Sequence, residues 1–243
     1  MLQLLKKEIN SFFSSLIGYI VIVVFLLATA MFLWVFPGEF NILDNGYATL
    51  DPLFILAPWV FLFLVPAVTM RLFADEKKSG TIELLFTKPF TDLQIILAKY
   101  LSGLVLVLFS LIPTFIHYIS VYLLGSEVGN LDVGGTWGSY IGLFFLAAIY
   151  VAIGLFASSL TENQIIAFLI GVILSFFFYI GFEQISSLSF LEKISETILN
   201  LGINEHYKSM SRGVIDIRDL VYFIGVIVLF LFTTKTVLES RKW

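Results

Sequence analysis

The sequence predicts an all-α polytopic membrane protein. It has six transmembrane helices, an interfacial amphipathic helix ahead of the first, a short helix between spans two and three, and further helices between spans five and six. Three observations carry this. Of 243 residues, 59% are apolar and 13% charged, about half the charged fraction of a soluble protein, and the mean hydropathy is +0.98. Six apolar runs are each long enough to cross ~30 Å of hydrocarbon as helix. The Lys and Arg residues crowd into some of the intervening segments and are absent from others. Residues 1–243 therefore read as one transmembrane domain whose first partner is the lipid bilayer. No basic stripe points to nucleic acid, and with no Cys there is neither a disulfide nor thiol chemistry.

In chain order, Met1 to Ser15 and the residue after it place Leu2, Leu5, Ile9, Phe12 and Leu16 at helical spacing, with Lys6, Lys7, Glu8 and Asn10 between them. This predicts a helix lying in the membrane interface. No cleavable leader is expected, because the run after Lys6 and Lys7 is long enough to span and lacks a small-residue cleavage pattern. Leu16 to Phe36 is the first span. Leu53 to Met70 is the second, with Pro58 and Pro66 inside it, tolerable where a neighbour or water satisfies the carbonyls they free. Tyr100 to Leu124 is the third, interrupted at Pro113 and carrying His117, read as a neutral hydrogen-bonding imidazole. A Gly-rich loop, Gly125 to Thr136, leads to the fourth span, Trp137 to Leu160. There Gly138 and Gly142, and Gly154 and Ser158, make small-residue faces that let helices approach. The turn at Thr161 to Asn163 is so short that the fifth span, Gln164 to Phe182, must run antiparallel to the fourth. Leu220 to Leu238 is the sixth, with Lys235 near enough its end to snorkel.

Two polar segments stand out. In the first, residues 71–95, Lys77 and Lys78 suit the end of a helix that stops at Gly80, and Thr81 is placed to cap the next helix, with Glu83 in its first turn. Pro89 ends that helix near Lys88, and Thr91 to Gln94 forms a capping box for the following one. A piece of roughly two turns is thus held between breaks and shows Ile82, Leu85 and Phe86 on one side. That apolar face is expected to plug a groove on a partner protein. In the second segment, residues 183–218, Leu188, Leu191, Ile194, Ile198 and Leu201 make an amphipathic helical stripe, and Asn204 to Arg212 a second helix ended by Gly213. Asp216 caps the last span, with Asp219 in a capping-box arrangement.

Orientation follows from the basic residues. With both termini inside, the inner segments hold Lys6, Lys7, Arg71, Lys77, Lys78, Lys88, Lys99, Lys235, Arg241 and Lys242. The outer ones hold only Lys193, Lys208, Arg212 and Arg218, all in the longest loop. The 71–95 segment then faces the cytoplasm and the 183–218 segment faces outward, as expected for the inner membrane of a bacterium. No catalytic residues are expected. Asp75 and Glu76 are adjacent, so on a helix they point about 100° apart and do not converge on one substrate. No metal site is expected either, since two His and no Cys do not make one, and His206 reads as a helix-surface residue.

The motif R-x-F-x-x-E-x-x-S-G-T-I-E-L-L-F-T-x-P-F-T at Arg71 to Thr91, with the six spans and the amphipathic N-terminal helix, resembles the type-2 ABC transporter permeases. The turn S-S-L-T-E-N-Q (158–164) and H-Y-x-S-M-S-R-G-V-I-D-x-R-D-L-x-Y-F (206–223) resemble the gliding-motility-associated permease family GldF, close to the permease of the nitrous-oxide-reductase maturation transporter. The resemblance implies a subunit that binds no cofactor itself, with ATP and Mg in a separate, GldA-like ABC ATPase. The sequence has no G-x-x-x-x-G-K-[ST] phosphate loop. It implies that the helix around Glu83 is the coupling helix, with Glu76, Gly80, Thr81 and Glu83 making or shaping the ATPase contact. Arg71, Asp75, Ile82, Leu85, Phe86 and Pro89 complete the candidate coupling set. His206, Gly213, Asp216 and Asp219 form the candidate extracytoplasmic motif. The resemblance further implies a second membrane subunit, GldG-like or a second copy of this chain. Its role is either in surface gliding machinery or in export of a lipid, polysaccharide or small solute. A self-sufficient channel or secondary carrier fits less well, because the prolines of spans two and three have no counterparts in spans four to six.

Overall fold

A computed structural model describes residues 1–87 and 89–240, and within them every side chain except those of Ile17, Phe86 and Phe190. Lys88, Arg241 and Lys242, counted above for orientation, lie outside the described residues. The described chain is all helix and loop, with no strand. Its elements are α1 (Leu2–Phe13), α2 (Leu16–Ala30, continued by a π-helical turn at Met31–Val35), α3 (Asp51–Thr69), α4 (Arg71–Lys78), α5 (Thr81–Phe86), α6 (Asp92–Leu111) and α7 (Phe115–Leu124). They continue with α8 (Val133–Leu160), α9 (Gln164–Phe176, continued by a π-helical turn at Phe177–Gly181), α10 (Phe182–Ser186), α11 (Ser195–Leu199), α12 (Ile203–Met210) and α13 (Ile217–Glu239). Six stretches among these are long and apolar enough to cross a membrane. The protein is a polytopic membrane protein of six helical spans.

Span boundaries are set by local chemistry at each end. The helix of the third span opens at the Thr91–Gln94 capping box, as its residues predict, so it begins before Tyr100, and the chain breaks at Pro113 into a 3-10 turn, Ile112–Thr114, before α7. The fourth begins at Val133, capped by Asp132 through the Gly135 N–H at 2.9 Å, so the Gly-rich loop is shorter than expected and Gly134 to Thr136 are already helical. The fifth runs on through its π-helical turn into α10. The stripe from Leu188 to Leu201 is not one helix. It breaks into a 3-10 stretch, Ser189–Ile194, and the short α11, and it leaves Leu188, Ile194 and Leu201 exposed.

α8 is the centre of the bundle. It is buried along nearly all its length and packs against α3, α4, α6, α9, α12 and α13. Small residues permit this. A Cβ on Gly154 would collide with the Thr69 side chain of α3. One on Gly138 would lie 2.6 Å from the Gly213 Cα, and one on Gly142 2.8 Å from the Met210 Cβ of α12. α2, α9 and α13 lie at the periphery, and their bulky apolar side chains face outward, as helices facing lipid do.

α12 is wedged into this bundle, with Ile203, Tyr207 and Met210 buried. Its place is tied to a proline on another helix. Pro58 has no N–H, so the carbonyl of Phe54, four residues earlier, has no helical partner. The Tyr207 hydroxyl donates to that carbonyl at 2.6 Å. His117 takes a hydrogen bond on Nδ1 from Trp34 Nε1 at 2.9 Å, which links the third span to the first.

Candidate functional site: the segment between spans two and three

The 71–95 segment is built as a helix, a break and a helix. α4 ends at Ser79. Gly80 takes the left-handed conformation, φ +69°, that favours glycine, and α5 starts at once. Thr81 is therefore the first residue of α5 and not its cap. Its hydroxyl lies 2.8 Å from that of Ser79, across the break.

Most of the polar side chains of α4 point into the protein. Arg71 donates to the Ser15 hydroxyl at 2.9 Å, and its guanidinium lies 4.5 Å from the centre of the Phe12 ring. Gln164 at the start of α9 donates to Asp75, and Lys77 donates to the Ser159 carbonyl. Glu76 pairs with Lys99 of α6 at 3.0 Å and with Lys7 of α1 at 3.3 Å. Asp75 and Glu76 thus turn to different neighbours, α9 for one and α1 with α6 for the other. Ser158 of α8 closes the joint between α3 and α4. Its hydroxyl donates to the Met70 carbonyl at 2.8 Å and accepts from the N–H groups of Phe73 and Ala74 at 2.8 and 3.1 Å.

Lys99 is the centre of this region, although by sequence it reads only as one of the basic residues of an inner segment. It is 0% exposed. Its ammonium donates to the Leu72 carbonyl at 2.6 Å and pairs with Glu76 at 3.0 Å and Glu8 at 3.3 Å, so all three N–H directions are used. A buried lysine needs such partners, because an unpaired charge out of water is costly. Glu8 is the other surprise. The face of α1 that packs is Leu4, Glu8 and Phe12, while Leu2 and Leu16 of the predicted apolar stripe are exposed. Burial works against the charge on Lys7, but Glu8 and Glu76 together outweigh it and hold the Lys7 pKa above its ordinary value. These groups line a cleft of about 230 Å³ that also includes Arg71, Asp75, Ser79 and Thr81.

α5 differs from expectation in which face it offers. Ile82 and Leu85 are buried in this chain's own apolar core, so they do not form a plug for another protein. A six-residue helix has no stability of its own, and the bundle supplies the surface it needs. What α5 leaves outside is Thr81, Glu83, Leu84 at 65% exposure and Thr87, with Pro89 beyond them. The Phe86 side chain lies outside the described residues.

The 206–219 motif gathers at the opposite end of the bundle. His206 meets Asp219 Oδ1 through Nδ1 at 2.7 Å and the Asn200 carbonyl through Nε2 at 2.9 Å, with its ring stacked on Tyr222. Asp219 is committed to this pairing, so the expected capping box does not form. Asp216 caps α13 alone, through the Arg218 N–H at 2.9 Å. Gly213, φ +82°, lies so close to Gly135 that a side chain on it would clash. No group of three or more His, Asp or Glu able to hold a metal occurs among the described residues.

Six helical spans, the fourth of them buried at the centre, with an internally braced helix–break–helix segment joining spans two and three, make a polytopic membrane bundle. The chain belongs to the ABC-2 family transporter proteins, whose family model matches residues 2–237. No curated protein matches it. Membership of that family makes the chain a multi-pass membrane permease that works in the lipid bilayer with an ABC ATPase.

Proposed function

We propose that this chain is the permease subunit of a gliding-motility-type ABC transporter and couples to a separate, GldA-like ATPase through α5. The observation that carries this is the build of α5: one face seated in the permease core, the other, with Glu83, Leu84 and Thr87, open to a partner. The ATPase holds ATP and Mg, and this chain supplies no catalytic group. Glu83 and Leu84 act as the grip, Gly80 sets the angle of α5, and Arg71, Asp75 and Glu76 fasten the segment to α1, α6 and α9. The excess of Lys and Arg at the end bearing α1 and α5 supports placing both termini in the cytoplasm and the protein in the inner membrane. The motifs at 158–164 and 206–223 support the gliding-type reading, with a GldG-like second membrane subunit.

The test is an affinity pull-down of the tagged, detergent-extracted protein from its own membranes, with bound chains identified by mass spectrometry. A Walker-motif ATPase is expected, with recovery lowered at least about tenfold by Leu84→Arg or Glu83→Arg, the effect of removing a central contact. Undiminished recovery with both variants refutes α5 as the contact. Recovery of a GldG-like chain in the same eluate distinguishes the gliding-type transporter from a general exporter.

A further inference from the structure

At the end of the bundle away from α1 and α5, a cleft of about 570 Å³ opens between the start of α3, the start of α8, and α12. Four charged side chains line it, two of each sign: Asp51, Asp132, Lys208 and Arg212. Two of these are engaged. Asp132 caps α8, and Lys208 pairs with Glu183 at 3.0 Å. The side chains of Asp51 and Arg212 have no partner among the described residues. A free carboxylate and a free guanidinium in one cleft, not paired with each other, complement a ligand that carries both an anion and a cation.

The second observation is where the cleft leads. Asp51 heads a ridge of α3 that continues at four-residue steps through Ile55, Trp59 and Phe63, which are 55%, 41% and 54% exposed. Ile55 lines the cleft and also faces outward. At 1.5 Å per residue the ridge from Asp51 to Phe63 is about 18 Å long. That is roughly the depth of one leaflet of a ~30 Å hydrocarbon core. A polar cleft at the membrane surface thus opens onto an apolar track running one leaflet deep.

We propose that this cleft binds a zwitterionic phospholipid with a primary-amine headgroup, of the phosphatidylethanolamine class. Arg212 takes the phosphate through its forked N–H groups. Asp51 takes the ammonium, whose N–H groups need an acceptor. One acyl chain lies along Ile55, Trp59 and Phe63. A quaternary headgroup is disfavoured, because it has no N–H to give and is held by aromatic cages. Phe54, which lines this cleft, is buried edge-on against Tyr140. An anionic headgroup is disfavoured by the two carboxylates.

The test uses Trp59 as a reporter. The full chain with Trp34, Trp137 and Trp243 replaced by Phe is placed in phosphatidylcholine vesicles and titrated with lipids brominated on the acyl chain. Brominated phosphatidylethanolamine is expected to quench Trp59 at about a tenfold lower mole fraction than brominated phosphatidylcholine or phosphatidylglycerol, the effect of one charge-assisted hydrogen bond. Asp51→Asn is expected to make the ethanolamine and choline lipids equivalent, and Arg212→Gln to weaken quenching by all three lipids alike, since all three carry the phosphate. As a check independent of the Trp replacements, the lipid co-purifying with the otherwise unaltered chain is quantified by mass spectrometry. It is expected to be enriched in ethanolamine lipid over the bulk membrane, and no longer so in Asp51→Asn. Equal quenching by all three headgroups, strongest quenching by phosphatidylglycerol, selectivity that survives Asp51→Asn, or quenching unchanged by Arg212→Gln overturns the proposal.

Discussion

Replacing Tyr207 with Phe should destabilise the protein through a carbonyl on another helix. The ring stays and only the hydroxyl is lost, so the apolar packing of α12 against α8 is preserved. What is lost is the 2.6 Å hydrogen bond to the Phe54 carbonyl. That carbonyl has no helical donor, because the residue four positions on is Pro58. Phe54 and Tyr207 are both buried, at 2% and 3% exposure, so water does not replace the hydroxyl. An unsatisfied buried acceptor costs about 1–3 kcal/mol. For a chain of this length each kcal/mol lowers Tm by about 2–4 °C. The assay is thermal unfolding in detergent across a double-mutant cycle with Pro58→Ala. Alanine at 58 restores an N–H to the Phe54 carbonyl, so in that background Tyr207→Phe should cost only a few tenths of a kcal/mol. If Tyr207→Phe matches the wild type, or costs the same with and without Pro58, the carbonyl argument is wrong.

Three other substitutions probe the braces around the 71–95 segment. Lys99→Met removes the cation shared by Glu8 and Glu76 and should cost about 3–5 kcal/mol. Most of that should return in the Glu8→Gln, Glu76→Gln, Lys99→Met triple variant, read by thermal unfolding, and a triple variant no better than the single one would contradict the pairing. Lys7→Met should lower stability by an amount that is constant through neutral pH. A pKa held above the ordinary 10.5 means its contribution is complete below 10.5 and is lost as pH rises through the higher folded value, so the two stability curves should converge only in alkali. Ser158→Ala leaves the Met70 carbonyl and the Phe73 and Ala74 N–H groups without their shared partner. It should lower Tm while leaving ATPase recovery in the pull-down unchanged, and reduced recovery at full stability would place Ser158 in the contact instead of the joint.

The sequence shows the spans because their signal is local and strong. An uncharged run either reaches across hydrocarbon or it does not, and Thr91, Gln94 and Gly80 mark ends by their own backbone chemistry. The errors share one cause. By their neighbours in the chain, Glu8, Lys99 and Asp219 read as part of a solvated face, a basic residue of an inner segment and a capping residue. Each pairs with a residue far away or across a helix boundary: Lys99 lies 91 positions from Glu8, and Asp219 turns back to His206. A charge on the packed face of a helix breaks the rule that polar positions point to water, and only the partner reveals the exception. One hint was available. Lys99 lies in the helix that the Thr91–Gln94 capping box opens, four and three residues after Ile95 and Ile96, so its place in the register already put it on their apolar face.

The same braces bear on how a short helix could carry force. α5 has six residues and cannot hold its shape alone, so a pull on Glu83 or Leu84 reaches the permease only through what α5 and α4 are fastened to. Ile82 and Leu85 fasten α5 to the core, Glu76 and Lys99 fasten α4 to α1 and α6, Asp75 to α9, and Ser158 joins the α3–α4 junction to α8. Hydrogen bonds and close-packed contacts of this kind are stiff compared with a hinge in an open loop. Gly80, whose left-handed backbone sets the turn between α4 and α5, is itself bridged by the Ser79 and Thr81 hydroxyls, 2.8 Å apart. In the proposed coupling, α4 and α5 therefore move together with spans two, three, four and five and the N-terminal helix, as one body.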